Sequence, residues 1–114
     1  MKKINTWLGQ YKKFWKSQNV EDVLNLFSRD VVYGNYFKVH TDFESLREEW
    51  QSIKNQRNIY LNFKVFSKED NKYTIVWELK YTNPDNKRVH MKGTYLMKLN
   101  TKGKCIYFFH CGES

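Results

Sequence analysis

Few side chains in this chain can do acid–base or nucleophilic work. They are three histidines, two cysteines and twelve carboxylates, spread along 114 residues. Imidazole titrates near neutral pH and can act as a general acid or base, so each histidine is judged by its neighbours. His40 closes the stretch "DVVYGNYFKVH", which carries no acid after Asp30 and runs directly into a helical pattern. His110 sits inside the apolar run "CIYFFHC". His90, in "RVHMKG", alternates onto the polar side of a strand and reads as structural. His40 and His110 are therefore the two candidate catalytic groups, each against the plainer reading of a surface or cross-strand histidine. No two histidines have metal-ligand spacing, and the linear order supports no Ser-His-Asp or Cys-His arrangement. No motif implies a cofactor. Cys105 and Cys111 would lie about 20 Å apart in one extended strand, too far to bridge. They match neither a CxxC pattern nor zinc spacing, and read as buried or half-buried thiols.

Aromatic residues carry a richer signal. Four Trp, eight Tyr and eight Phe make up 18% of the chain. Tyr11, Trp15, Tyr33, Phe37, Trp50, Phe63, Trp77 and Tyr95 can converge on one interior. Any one of them alone is best read as core filling. As a set, they are expected to wall a space for a compact, largely apolar or aromatic molecule, held by Tyr hydroxyls and Trp N–H groups.

The elements that must position these groups follow from periodicity. The length allows one domain, residues 1–114, able to fold on its own core. Asn5 or Thr6 can cap a first helix in which Trp7, Leu8, Tyr11, Phe14 and Trp15 share a face. "KSQN" breaks it, and Val20, Val23, Leu24 and Phe27 mark a second, short helix with acids in its first turn. After "DVVYGNYFKVH", read as a short strand and loop, Thr41 or Asp42 caps a third helix striped by Phe43, Leu46, Trp50 and Ile53. The second half alternates with period two. Ile59, Leu61, Phe63 and Val65 share a face, as do Tyr73, Ile75, Trp77, Leu79 and Tyr81, and then Val89, Met91, Gly93, Tyr95, Met97 and Leu99. "NPDNK" and "NTKGK" are turns. "CIYFFHC" is apolar on both faces, and regular alternation would turn Ile106 and Phe108 outward. Three helices followed by an antiparallel meander is an α+β arrangement, with the helices covering one face of the sheet.

Several of these patterns, in this order, resemble the nuclear transport factor 2-like superfamily in its SnoaL-like branch. The matching stretches are "NVEDVLNLFSRDVVYGN" (Leu26, Phe27, Asp30, Val31, Tyr33), "LREEW" ending in Trp50, "YTIVWELKY" around Trp77, and "GTYLMKLNTKGKCIYFFH". The resemblance spans roughly Asn5 to Glu113. It implies a cone: a strongly curved antiparallel sheet wrapped around three N-terminal helices, with a pocket at one end. Members of that superfamily include isomerases, polyketide cyclases, epoxide hydrolases, dehydratases and proteins without chemistry, so the fold leaves activity open. Aligned on "LFSRDVVYGN", the position of the isomerase base falls near Asn35, which cannot take a proton. Asn35 is then expected to help wall the pocket, between Tyr33 and Phe37. The resemblance also places His110 near a position where relatives often carry a carboxylate.

The net charge of +8 comes from lysines scattered along the chain, sixteen of the twenty basic residues. Nucleic-acid binders concentrate charge and favour Arg, so the sequence argues against that class. No window has the apolar length of a membrane span, and the interrupted N-terminus does not suit a signal peptide; a cytoplasmic location is expected. The expected function is binding of a small apolar or aromatic ligand in the cone, with acid–base catalysis left open. The alternative is a non-catalytic homodimeric module that uses the outer sheet face.

Overall fold

A computed structural model describes residues 2–35, 38–40 and 42–113. Helix α1 spans Lys2–Lys16, α2 Val20–Leu24 and α3 Phe43–Trp50, and α3 runs on into a 3-10 turn at Gln51–Asn55. Six strands form one sheet: β1 Phe27–Gly34, β2 Val39–His40, β3 Arg57–Glu69, β4 Lys72–Thr82, β5 Arg88–Leu99 and β6 Cys105–Glu113. Their spatial order is β2-β1-β6-β5-β4-β3. The chain is thus α+β, with the helices on the inner face of a curved, unclosed sheet, as the sequence implied.

The helix starts follow local chemistry. Helix α1 begins at Lys2, earlier than an Asn5 or Thr6 cap would allow, because Ile4 adds a fully buried anchor one turn before Trp7 and Leu8. Asn19 caps α2 by accepting from the Asp22 amide, and Phe27 belongs to β1 rather than to that helix. Asp42 caps α3 by accepting from the Glu44 amide. Arg47 then ties α3 to α2 by bonding both Glu21 and Glu44.

The long hairpins match their alternation. On β4, Tyr73, Ile75, Trp77 and Leu79 are buried; on β5, Tyr95, Met97 and Leu99 are buried. The turns fall at Asn83–Lys87, where Asn86 takes a positive φ, and at Asn100–Lys104, where Gly103 does. The pairings are antiparallel except one: β1 lies parallel to β6. That pairing joins strands from opposite ends of the chain, so no local pattern announces it.

Strand β6 corrects one expectation. Leu99 pairs with Cys105 but Lys98 pairs with Tyr107, so Ile106 is an extra residue with no opposite number. This β-bulge reverses the facing of everything after it. Phe108 is consequently 1% exposed and packs in the core, instead of facing outward. Tyr107 and Phe109 take the outer side. Cys105 is buried and Cys111 half-buried, both unpaired, as expected.

Lys3 reaches from α1 to the carbonyls of Asn100 and Thr101, which closes one end of the cone. Trp7 donates to the Leu26 carbonyl at 2.9 Å and packs edge-on to Phe27.

Candidate functional site

The opposite end is less covered. Along the inner face of β5, burial gives way from Leu99, Met97 and Tyr95 to half-buried Gly93, Met91 and Val89; on β4, Tyr81 is likewise half-buried after Leu79. These apolar side chains are left partly wet on the sheet's inner face. Tyr33 pairs with His40 and Phe108, and His110 pairs with Tyr95, so these groups lie level with the buried part of β5.

His40 is 5% exposed and the sole buried polar residue among the described residues. β2 presents it to α3, where two side chains one turn apart meet its two ring nitrogens. Nδ1 lies 2.7 Å from Ser45 Oγ, and Nε2 bonds the Glu49 carboxylate. A carboxylate only accepts, so in the neutral ring Nε2 carries the proton and Nδ1 is the acceptor. The Ser45 hydroxyl then donates to Nδ1. The linear sequence supported no serine–histidine–acid arrangement; the fold assembles one from Ser45, His40 and Glu49. The signal available was the four-residue Ser45–Glu49 spacing, which puts both on one side of a helix. What faces them depends on where β2 docks.

Tyr33 connects the two candidate histidines. Its ring centroid is 6.2 Å from that of His40 and 5.5 Å from that of His110. It also stacks on Phe108, 5.0 Å away and nearly parallel. Burial pushes the Tyr33 hydroxyl well above the ordinary tyrosine range, helped by Tyr95 and Glu49, with the Trp50 N–H pulling slightly the other way. Burial holds the His110 imidazole below its usual value; Glu49 draws it up and His40 pushes it down. His110 Nε2 and Trp77 Nε1 are buried without a hydrogen-bond partner, and the Trp50 N–H has only the Tyr33 hydroxyl beside it, outside good hydrogen-bond geometry. Buried polar atoms are ordinarily satisfied, so such atoms are notable. Among the described residues no group of three His, Cys, Asp or Glu is placed to hold a metal ion.

No family model matches the chain, and no curated protein does. Solved structures do match, over nearly the whole length. A protein of unknown function from Exiguobacterium, described as nuclear transport factor 2-like, superposes with TM-score 0.79 at 16% identity, covering 95% of this chain and 98% of that one. The epoxide hydrolase/cyclase-like enzyme SalBIII, from pyran ring formation in salinomycin, gives 0.82 at 14% identity, covering 96% and 89%. A Δ5-3-ketosteroid isomerase from Mycobacterium gives 0.79 at 12% identity, covering 96% and 92%. The chain has the nuclear transport factor 2-like fold. At these identities the likeness concerns the backbone, and what the neighbours catalyse stays with them.

Within the nuclear transport factor 2-like cone, the remaining sequence-predicted residues take separate places. Tyr11 and Tyr95 meet at the centre, their hydroxyl oxygens 3.3 Å apart, and burial raises both above the ordinary tyrosine range. Phe63 packs against both rings. Trp15 is edge-on to Tyr11 and Trp50, and its N–H donates to Gln56 Oε1 at 2.7 Å, which anchors α1 to the start of β3. Trp77 stacks on Tyr95 and reaches across two glycines. A Cβ on Gly93 would fall 2.6 Å from the Trp77 ring and 1.9 Å from the Cys111 carbonyl, and one on Gly112 would fall 2.4 Å from the ring. Sequence reasoning placed Gly93 on the inner face but missed Gly112 as its partner in seating this indole.

Asn35 serves the loop between β1 and β2. Its side-chain carbonyl accepts from the Lys38 amide at 3.0 Å, and its own amide donates to the Lys38 carbonyl at 2.9 Å. That closure brings His40 back beside Tyr33. Gly34 permits it, since a Cβ there would lie 2.4 Å from the Lys38 carbonyl. Phe37 lies outside the described residues. His90 bonds Glu78 across the outer face, away from the cone, as its alternation indicated.

Proposed function

We propose that this chain is a SnoaL-like protein that takes a compact, mostly apolar or aromatic molecule in its cone, with His40 as the acid–base group. The observation that carries this reading is the pair of unpartnered buried atoms Trp77 Nε1 and His110 Nε2, with Trp50 Nε1 only loosely engaged beside Tyr33, in an interior otherwise built of rings. A ligand offering one or two polar atoms on an apolar frame would satisfy them. Glu49 supports His40 in the acid–base role, because a carboxylate on one ring nitrogen fixes the tautomer and stabilises the imidazolium that forms when the other accepts a proton. The nuclear transport factor 2-like fold, with solved relatives described as isomerase and cyclase-like, is consistent with this reading.

The test is a thermal-shift and tryptophan-fluorescence screen against small aromatic and alicyclic compounds, repeated on Trp50→Phe and Trp77→Phe. Binding that raises the melting temperature, and that weakens in either variant, supports the proposal. A flat response across the screen rejects it.

A second reading concerns assembly. Val32, Val76 and Leu96 are each 40% or more exposed on the outer face, and the register sets Leu96 beside Phe109 and Val32 beside Tyr107. An apolar band across four strands is covered economically by a second copy of the same face, giving a two-fold homodimer. Such a dimer is compatible with an occupied cone. A monomer in light scattering at micromolar concentration would count against it.

A further inference from the structure

We propose that Ser45 is a nucleophile, activated by His40 and Glu49 for attack on small carboxylic esters. This rests on the preceding reading only in that both use His40 as a base. Its own support is geometric. The Ser45 hydroxyl lies 2.7 Å from Nδ1, and the Glu49 carboxylate holds Nε2 on the far side of the same ring. Nucleophile, base and orienting carboxylate therefore stand in series, the arrangement that activates a serine on unrelated folds, here with the two ring nitrogens exchanged. Burial of the imidazole behind partly exposed Ser45 and Glu49 favours a directed proton transfer over exchange with bulk water.

The Glu49 side chain on the far side of the ring is 39% exposed, so this buried imidazole is linked to solvent through a carboxylate. Helix α3 fixes the spacing, because residues four apart lie one above the other on its surface. Ser45 is in the first turn of α3, where the helix dipole favours a developing oxyanion, although the Asp42 carboxylate already takes the Glu44 amide there. The carboxylates of Glu21 and Glu44 are both engaged by Arg47, which limits their repulsion of that charge.

The step balances as follows. Ser45 Oγ bonds the ester carbonyl carbon as its proton passes to His40 Nδ1. The carbon–oxygen bond to the leaving group then breaks, and His40 returns the proton to the departing alkoxide. Water, deprotonated by the same nitrogen, releases the acid from Ser45. No other co-reactant is required.

The experiment treats the full chain with a fluorophosphonate probe and, separately, with p-nitrophenyl acetate, followed by intact mass and peptide mapping. One phosphonyl adduct on Ser45 is expected, absent in Ser45→Ala and reduced in Glu49→Gln, with Ser67→Ala labelled like the parent. Nitrophenol release should fall about 100-fold in Ser45→Ala, and Ser45→Cys should be carbamidomethylated by iodoacetamide faster in the parent background than with His40→Gln. A probe that leaves Ser45 unmodified, or equal ester turnover in Ser45→Ala, overturns the proposal. The ligand-dependent thermal shift separates the two readings: its persistence in Ser45→Ala with no adduct in the parent rejects the nucleophile alone, and its absence with Ser45 labelled rejects the pocket alone.

Discussion

His40 is held at both ring nitrogens, so its tautomer is set by Glu49 and its orientation by Ser45 together. His110, its neighbour across Tyr33, has a buried nitrogen with no partner and a depressed proton affinity. The difference has a pH signature. An unfolded histidine binds its proton near pH 6.5, whereas folded His110 does so only at lower pH. Stability from this group is therefore complete above about pH 6.5 and is lost as pH falls through the lower folded value. Chemical denaturation at pH 7.5 and 5.5 should show the parent losing more stability on acidification than His110→Gln; equal losses would deny His110 this role. At this scale the sequence singled out the two histidines that the fold sets on either side of Tyr33. It could not name Ser45 or Glu49, because their value comes from a ring supplied by another element.

Strand β6 shows how one residue governs an element. The bulge at Ile106 sends Phe108 inward among Trp7, Phe27, Tyr33 and Tyr95, and sends Tyr107 outward. Strict alternation fails there because the strand is apolar on both faces, so polarity does not mark the register. The other strands alternate against Lys, Thr, Glu and Asn, and their facing was legible. Phe108→Ala should destabilise by about 3–5 kcal/mol, the usual range for removing a buried ring. Tyr107→Ala should cost far less, and denaturant titration distinguishes the two. Gly93→Ala probes the seat of Trp77. The new methyl would meet the Cys111 carbonyl and the indole at once, and a loss of about 1–3 kcal/mol is expected from overpacking. Unchanged stability in that variant would mean that β5 and β6 part more easily than their register implies.

For the whole molecule, the cone has an inner face whose chemistry is described above and an outer face with an apolar band. Leu96→Lys places a charge in the middle of that band, where Phe109 adjoins it. On the proposed pairing of outer faces, the parent should sediment as a dimer at micromolar concentration and the variant as a monomer, with the folding midpoint of the isolated subunit little changed. The α+β class and most strand boundaries could be read from periodicity, and the family resemblance supplied the cone. The β1–β6 pairing could not be read, since hydrogen bonds between distant segments leave no local period. Among the described residues no helix is long and apolar enough to cross a membrane.

That same parallel pairing has a consequence for the chain as it is made. Strand β1 emerges early from the ribosome and must wait for β6, the last strand, before its inner edge is bonded. Hairpins β3–β4 and β4–β5 can zip locally in the meantime, but the two histidines belong to opposite shores of the final closure. Joining distant segments bears the largest loop-closure cost, so it is expected to be the slow event. The nascent protein should therefore possess most of its sheet before its two histidines flank Tyr33, and loss of the C-terminal strand should remove that juxtaposition before it abolishes secondary structure.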